Sequence, residues 1–505
     1  MDSRKRFAQL LDTAPRDAEA IEFEDRWTTW GVLQDVDDAL QRLLAQCALP
    51  AGGRVGVIVE NRPEHVGVLL SLIARGYCVV TLSPLQPPDR LRADILASQV
   101  PVVVGTKESL SRAGVGADAG DLVVLELRAD SVQHVHGGHV GGSLGGQDQS
   151  GPEVVVEMPT SGTTGPPKRV LLRERQFNTA ITMSVPPPPT ASLFRSGVAI
   201  VATPLVHIGG FWGALAPLYA GRRIVLLQKF VLEPWLRAVE RHRPRATGLV
   251  PAALRSILNA QVPRTQIDCL EVLTTGTTAC PTELLDEFFR VYGIRVLPTY
   301  GATEFAGAVA YWTKPLHERW WASKAGSAGR AIPGVTLRVT DDDGAELGAG
   351  EVGRLEIRGA QSPSGTHEWL RTSDLASIDD DGFLWIRGRA DDAIIRGGFK
   401  VHPEAVRKVL EQHPAVREAA VAPLLDERLG QVPVAGIELA STGDGGDSSA
   451  LVDELVAHCR TQLMPYEVPV HIAVLPELPR TPSLKVSRVD LVQLIADDMD
   501  RSKSA

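Results

Sequence analysis

Met158-Pro159-Thr160-Ser161-Gly162-Thr163-Thr164-Gly165-Pro166-Pro167-Lys168 lies between two apolar runs, Val154-Val155-Val156 and Val170-Leu171-Leu172. The flanks have the β-branched and aliphatic character of strands. The stretch between them offers backbone N–H groups, hydroxyls and one ammonium, and its glycines let the main chain approach an anion closely. Thr160, Ser161, Gly162, Thr163, Thr164 and Lys168 are therefore candidate phosphate ligands. The loop is not of the Walker type, because Pro167 precedes the lysine and no helical run follows at once. Taken alone, it fits a polar hairpin as well as a phosphate cradle.

Strand and helix patterns alternate around it. Val32–Leu49 carries Leu33, Val36, Leu40, Leu43 and Leu44 at helical spacing. Arg54–Glu60, Cys78–Leu82 and Pro101–Gly105 read as buried strands, with helices over Pro63–Arg75 and Asp89–Ser98. Beyond the loop, a helix around Gln176–Met183 is followed by strands at Val198–Thr203, Arg223–Gln228, Thr247–Val250, Leu270–Thr275 and Ile294–Thr299. Such alternation predicts βαβ units and a parallel sheet, whose strand ends hold ligands. From about residue 326 short strands and turns take over, among them Leu337–Thr340 and Gly353–Arg358. After Arg389 a third texture, with helices at Pro403–Gln412 and Leu451–Leu463 and strands at Val416–Ala422 and His471–Val474, predicts a small α+β domain.

The bulk numbers fit an ordinary globular chain: 505 residues, 44% hydrophobic, 22% charged. A net charge of −9 without any Lys/Arg run argues against nucleic-acid binding. No apolar region follows the basic residues of Met1-Asp2-Ser3-Arg4-Lys5-Arg6, so no signal peptide is expected. Arg75 interrupts the apolar run near Val66–Leu82, so no membrane span is expected either. Cys47, Cys78, Cys269, Cys280 and Cys459 are odd in number and form no C-x-x-C pair, which suits reduced thiols and a cytoplasmic location.

Three patterns mimic functional motifs. His134, His136 and His139 resemble metal ligands, but they lie in a glycine-rich tract, 131–151, that reads as a surface loop without a rigid frame. Gly141-Gly142-Ser143-Leu144-Gly145 matches G-x-S-x-G without the strand and helix of a nucleophile elbow. Gly348-Ala349-Gly350-Glu351-Val352-Gly353 spells G-x-G-x-x-G ahead of a strand, and so reads as a turn.

Further stretches resolve the opening ambiguity. Tyr300-Gly301-Ala302-Thr303-Glu304, Arg371-Thr372-Ser373-Asp374, Gly382-Phe383-Leu384-Trp385-Ile386-Arg387-Gly388-Arg389 and Pro479-Arg480-Thr481-Pro482-Ser483-Leu484-Lys485 follow Thr160–Lys168 in sequence. With these motifs in this order, the chain resembles the adenylate-forming superfamily: acyl-CoA synthetases, aryl-CoA ligases, peptide-synthetase adenylation domains and luciferases. The resemblance covers nearly all of it, from about residue 20 to 495.

The resemblance implies an α/β fold. A large multi-subdomain N-terminal domain, 1–389, would have mixed and parallel sheets flanked by helices and a small β-barrel-like part. A hinge at 390–391 would join it to a small mobile α+β C-terminal domain, 392–498, before a tail at 499–505. It also implies two half-reactions: a carboxylate attacks the α-phosphate of ATP to give an acyl-adenylate and pyrophosphate, and a thiol then displaces AMP. Charge built around phosphorus needs cations and donors placed in advance.

By the same resemblance, Lys485 would touch the α-phosphate and the carboxylate oxygen. Glu304 would hold Mg²⁺ and Thr303 would bind the α-phosphate. Tyr300 would stack on adenine, edged by Gly276, Thr277, Thr278 and Ala279 and backed by Gly301. Asp374 would accept the ribose hydroxyls beside Ile386, and Arg389 would reach ribose or phosphate. Asp391 would be the pivot. Arg396-Gly397-Gly398-Phe399-Lys400 would line the pantetheine channel, with Gly397, Gly398 and Lys400 nearest the thiol carrier. His207 would lie between acyl pocket and thiol channel.

The acyl pocket would be formed by His207, Phe211, Trp212, Val250, Gly276, Gly301, Ala302, Ala306 and Gly307. No acid occurs in Ile208–Gly213, where α-amino-acid-activating relatives place an aspartate, and a buried ammonium without a partner is costly. The pocket thus suits an aliphatic, aryl or polycyclic acid, activated by ATP with Mg²⁺ and passed to coenzyme A. Four departures from the family pattern, Pro159, Arg169, Thr277-Thr278 and Leu484, touch the pyrophosphate end, the adenine loop and the lysine loop. They open the alternatives of an acyl-adenylate supplied by a separate adenylating enzyme, of a carrier-protein phosphopantetheine as acceptor, and of a silent adenylate-binding protein. Either a monomer or a homodimer is compatible with the sequence.

Overall fold

The computed structural model describes residues 2–115, 121–137, 153–159, 169–185, 192–276, 280–363, 365–390, 393–396, 399–426, 428–440, 448–481 and 485–504. These form two compact units. The larger draws on Met1–Gly162, Pro166–Val335 and Arg358–Glu368, the smaller on Thr336–Ile357 and Trp369–Ala505. Among the described residues no helix is long and apolar enough to cross a membrane.

A seven-stranded sheet dominates the larger unit, in the order Val132–His136, Val123–Leu127, Val102–Gly105, Arg54–Ile58, Cys78–Leu82, Val154–Pro159, Arg169–Arg173. Its inner pairs are parallel and its two outer pairs antiparallel. The Val-rich inner strands are buried on both faces, as parallel sheets require. A four-stranded sheet orders Val198–Val201, Arg223–Leu226, Glu19–Phe23 and Arg26–Thr29. A five-stranded sheet orders Ala246–Gly248, Val272–Thr275, Arg295–Ala302, Gly307–Tyr311 and Arg330–Ala331. Its first three strands are parallel, so the chain leaving each one emerges at a common edge.

Val335–Thr340, Gly353–Gly359, Leu370–Ile378 and Leu384–Arg389, most of whose residues belong to the smaller unit, form the four-stranded sheet of the part expected to be barrel-like. A second sheet orders Phe399–Val401, Ile394–Arg396, Gly430–Leu439 and Val416–Asp426, with Ile472–Val474 alongside Gly430–Leu439. Helices Pro403–Glu411, Ser448–Gln462 and Arg488–Ser504 belong to the same unit.

Several readings of the sequence change here. Residues 132–136 of the expected surface loop form an edge strand paired with Val123–Leu127, and His134 lies on it, exposed; His139 and Gly141–Gly145 lie outside the described residues. Strand Gly430–Leu439 gave no clear signal because Pro433 interrupts it. Pro433 is tolerated because its carbonyl accepts from Val470 N at 2.9 Å and it faces Pro423 across the pair. Helix Arg488–Ser504 runs through most of the stretch read as a tail. Arg6, read as part of a basic N-terminus, is a buried clip. Its Nε donates to Tyr219 O at 3.1 Å and its Nη2 to Leu193 O at 2.7 Å, tying helix Ser3–Thr13 to the C-terminal end of helix Ile208–Tyr219.

Candidate active site

The common edge of the five-stranded sheet carries three of the predicted groups. Val250 caps helix Pro251–Asn259 after strand Ala246–Gly248, Gly276 follows Val272–Thr275, and Tyr300 lies near the end of Arg295–Ala302. Gly276 packs so tightly on the neighbouring strand that a Cβ there would meet Thr299 Oγ1 at 2.5 Å. Tyr300, Gly301 and Ala302 continue the strand beyond Thr299, where the sequence reading ended it, and pair with Gly307–Tyr311. A Cβ at Gly301 would strike Gly307 O at 2.1 Å, so only glycine permits this pairing.

Between the two strands, Thr303–Phe305 forms one 3₁₀ turn, closed by Ala306 in the left-handed region at φ 54°. Phe305 is buried and anchors the turn, while Glu304 is exposed. No side chain among the described residues pairs with Glu304, and none assembles a cluster of three or more metal-binding side chains. One open carboxylate without a protein cage fits Mg²⁺, which keeps several waters and is shared with substrate phosphates. Strand Arg169–Arg173, at the exit of the phosphate loop, runs beside this turn.

Helix Ile208–Tyr219 carries Phe211 and Trp212, two of the residues expected to line the acyl pocket. It has no charged residue and is apolar almost all round, as a helix buried on every face must be. His207 caps it: Phe211 N donates to His207 O at 2.9 Å and His207 N to Pro204 O at 3.0 Å. Gly210 is demanded by this tight entrance, since a Cβ would lie 2.1 Å from Pro204 O. Trp212 Nε1 donates to Ala306 O at 2.7 Å, and a Cβ on Gly307 would stand 3.4 Å from the same indole. Phe177, Phe211 and Trp212 form an aromatic cluster with centroids 4.8–6.1 Å apart. Phe211, expected to line the pocket, is fully buried and exposes no surface of its own.

Two positioning groups escaped the sequence. Asn61 Nδ2 donates to Thr203 O at 3.0 Å and to Leu227 O at 2.9 Å, while its Oδ1 accepts from Leu205 N at 2.7 Å. It thereby fixes the loop that ends at His207. Gln361 Nε2 donates to Ala308 O at 2.7 Å, and Gln361 O accepts from buried Gln176 Nε2 at 3.1 Å. Both links join residues far apart in the chain, and a lone amide carries no sequence signature.

Arg169, one of the departures, is occupied. Its Nη2 pairs with Asp94 Oδ1 at 2.7 Å and its Nη1 donates to Thr81 O at 3.1 Å. The guanidinium is thus neutralised beside the sheet. Arg54 grips Glu157 with two bonds of 2.7 Å on the strand leading into the loop. Burial pushes the Cys280 thiol up to about 12, so it carries no thiolate at neutral pH.

In the smaller unit Asp374 and Arg389 are direct partners across the antiparallel pair Leu370–Ile378 and Leu384–Arg389. Ala390 N donates to Ser373 O at 2.8 Å, and Ile386 lies on the same strand as Arg389. Lys485 is exposed at the mouth of a hairpin in which Thr481 N donates to Lys485 O at 2.7 Å. Thr160, Ser161, Gly162, Thr163, Thr164, Lys168, Thr277, Thr278, Ala279, Asp391, Gly397, Gly398 and Leu484 lie outside the described residues. Lys400 is described through its backbone, in strand Phe399–Val401.

A large α/β unit followed by a small α+β unit is the build of an adenylate-forming enzyme. The sequence profile of the AMP-binding enzyme family matches residues 7–365, and that of the AMP-binding enzyme C-terminal domain matches residues 406–485. The chain belongs to the AMP-binding enzyme family. An indoleacetate–CoA ligase of Aromatoleum aromaticum is 34% identical over 355 residues, 67% of this chain and 66% of that protein. A 2-succinylbenzoate–CoA ligase of Bacillus cereus is 27% identical over 494 residues, 95% and 96% of the two chains. ATP-bound MatB from Rhodopseudomonas palustris has the same fold, with a TM-score of 0.80 at 22% identity over 99% and 100% of the two chains. The chain is an ATP-dependent acid–CoA ligase that works through an acyl-adenylate, with Mg²⁺ as its metal.

Proposed function

We propose that this ligase activates an apolar aryl or arylalkyl carboxylic acid. The observation that carries the proposal is helix Ile208–Tyr219: it presents Trp212, held against Ala306 and Gly307, and no charged side chain that could pair a substrate ammonium or second carboxylate. Its likeness to the indoleacetate–CoA ligase supports the same reading.

Glu304 would hold Mg²⁺, which screens the phosphate charge as pyrophosphate departs. Thr303 would bind the α-phosphate, Tyr300 and Gly276 would flank adenine, and Asp374 with Arg389 would take the ribose. Lys485 would meet the α-phosphate and the attacking carboxylate oxygen. A change of backbone at Asp391 would separate this step from thiol attack, with Gly397, Gly398 and Lys400 along the pantetheine path and His207 beside the thiol. The engaged guanidinium of Arg169 supports a retained first half-reaction over an adenylate supplied by another enzyme.

The test is mass spectrometry of thioesters formed with ATP, Mg²⁺ and CoA from indoleacetate, phenylacetate, benzoate, 2-succinylbenzoate, octanoate, acetate and phenylalanine. Aryl and arylalkyl thioesters should dominate. Turnover confined to acetate or to phenylalanine would overturn the proposal. A parallel reaction offering a holo carrier protein in place of CoA identifies the acceptor.

A further inference from the structure

Strands Val416–Asp426 and Gly430–Leu439 pair so that Glu418 and Glu438 are direct Cα partners. Like charges set opposite each other across a pair repel unless cations stand between them. Here Arg480 does so, and Arg417 adds a second cation on Glu438. Arg417 pairs with Glu438 through Nε at 2.9 Å and again through Nη2. Arg480 Nη2 donates to Glu418 Oε2 at 2.6 Å and lies 3.9 Å from Glu438 Oε1.

Arg480 stands in the Pro479–Lys485 segment, and Glu438 holds the backbone just ahead of it: Leu478 N donates to Glu438 Oε1 at 2.6 Å. Glu438 is only 3% exposed, so these charge-assisted bonds are shielded from water. The rest of the hairpin is tied down close by. Thr481 Oγ1 donates to Lys485 O at 3.1 Å, Arg480 bridges Val486, and Ser487 N donates to Pro479 O at 2.7 Å. Beneath it, Leu478, Leu491 and Ile495 fill one apolar cluster.

We propose that Glu438 is a positioning residue for adenylation, fixing the base of the Lys485 hairpin through Leu478 N and Arg480. The inference rests on the reading that Lys485 acts in the first half-reaction. A carboxylate buried under the hairpin sets where the lysine emerges, and small misplacements of a reacting group are costly in rate. On that reading Lys485 would take no part in thiol attack, so Glu438 would have no counterpart role there.

The experiment measures both half-reactions separately for wild type, E438Q, R480M and K485A, using the aryl acid of the panel that the wild type activates fastest. ATP–pyrophosphate exchange reports the first step, and thioester formation from that acid's chemically prepared adenylate and CoA reports the second. E438Q and R480M should each lose about ten-fold in exchange, with thioester formation from the adenylate within two-fold of wild type and KM for ATP little changed. Wild-type exchange in both variants, or equal losses in both half-reactions, would overturn the inference. K485A isolates the underlying reading: exchange that survives K485A overturns Lys485's role and this inference with it, whereas loss in K485A alone overturns only the role of Glu438. Thermal melting of E438Q and R480M verifies folding. If E438Q fails to fold, R480M decides.

Discussion

Trp212 Nε1 donates to Ala306 O at 2.7 Å, joining helix Ile208–Tyr219 to the turn that presents Glu304. Ala306 is held at φ 54°, a conformation that disfavours a side chain, and the indole bond helps maintain it. W212F removes the bond while keeping an aromatic ring. It should lower kcat/KM for ATP-dependent thioester formation about ten-fold, the effect of roughly 1.4 kcal/mol. Adding A306G, which frees the turn from its steric preference, should recover part of the loss. Steady-state kinetics of the two single variants and the double variant check this, and additive losses would refute the coupling.

Gly301 packs directly on the neighbouring strand Gly307–Tyr311. A methyl group there would lie 2.1 Å from Gly307 O and 2.6 Å from Ala308 Cα, both backbone atoms that cannot yield cheaply. G301A should therefore force the strands apart and displace Tyr300 and Glu304. The expected outcome is loss of pyrophosphate exchange by at least two orders of magnitude, with a lowered melting temperature.

Asp374 faces Arg389 across their strand pair, and as a carboxylate it can accept both hydroxyls of a ribose. D374N retains the shape but loses the charge and one acceptor. AMP binding by isothermal titration calorimetry should weaken about ten-fold, while the binding of pyrophosphate should stay unchanged. AMP affinity equal to wild type would remove Asp374 from the site.

His65 is fully buried, and desolvation holds its pKa down to about 3 from an ordinary 6.5. The folded protein therefore keeps it neutral while the unfolded chain takes up a proton below pH 6.5. The resulting stability is complete above about pH 6.5 and falls as the pH drops from there toward 3. At pH 5 the loss should approach about 2 kcal/mol. H65L removes that contribution. Urea melts at pH 7 and pH 5 should show a smaller acid-induced drop in H65L than in wild type, and an equal drop would exclude His65 as a cause.

The sequence by itself determined the class of fold and most of the chemistry. Helix Trp30–Gln46 follows from local hydrophobic periodicity, and strand Cys78–Leu82 from a short apolar run, neither of which needs knowledge of distant partners. The family was legible because the motifs that hold Tyr300–Glu304, Asp374, Arg389 and Lys485 are short and contiguous, and their order carried the resemblance. What only the tertiary structure decided is long-range. Asn61 holds Thr203, Leu205 and Leu227, Trp212 holds Ala306, and Glu438 holds Leu478 against a strand partner of its own charge. Arg169 looked from sequence like a stray charge at the phosphate loop, and the fold supplies Asp94, 75 residues away, to neutralise it. Such partners are set by which strands become neighbours, and a side chain carries no local mark of the carbonyl or carboxylate it will meet. Periodicity is written in the chain one turn or one pleat at a time, whereas the satisfaction of a buried polar group is settled only when distant segments come together.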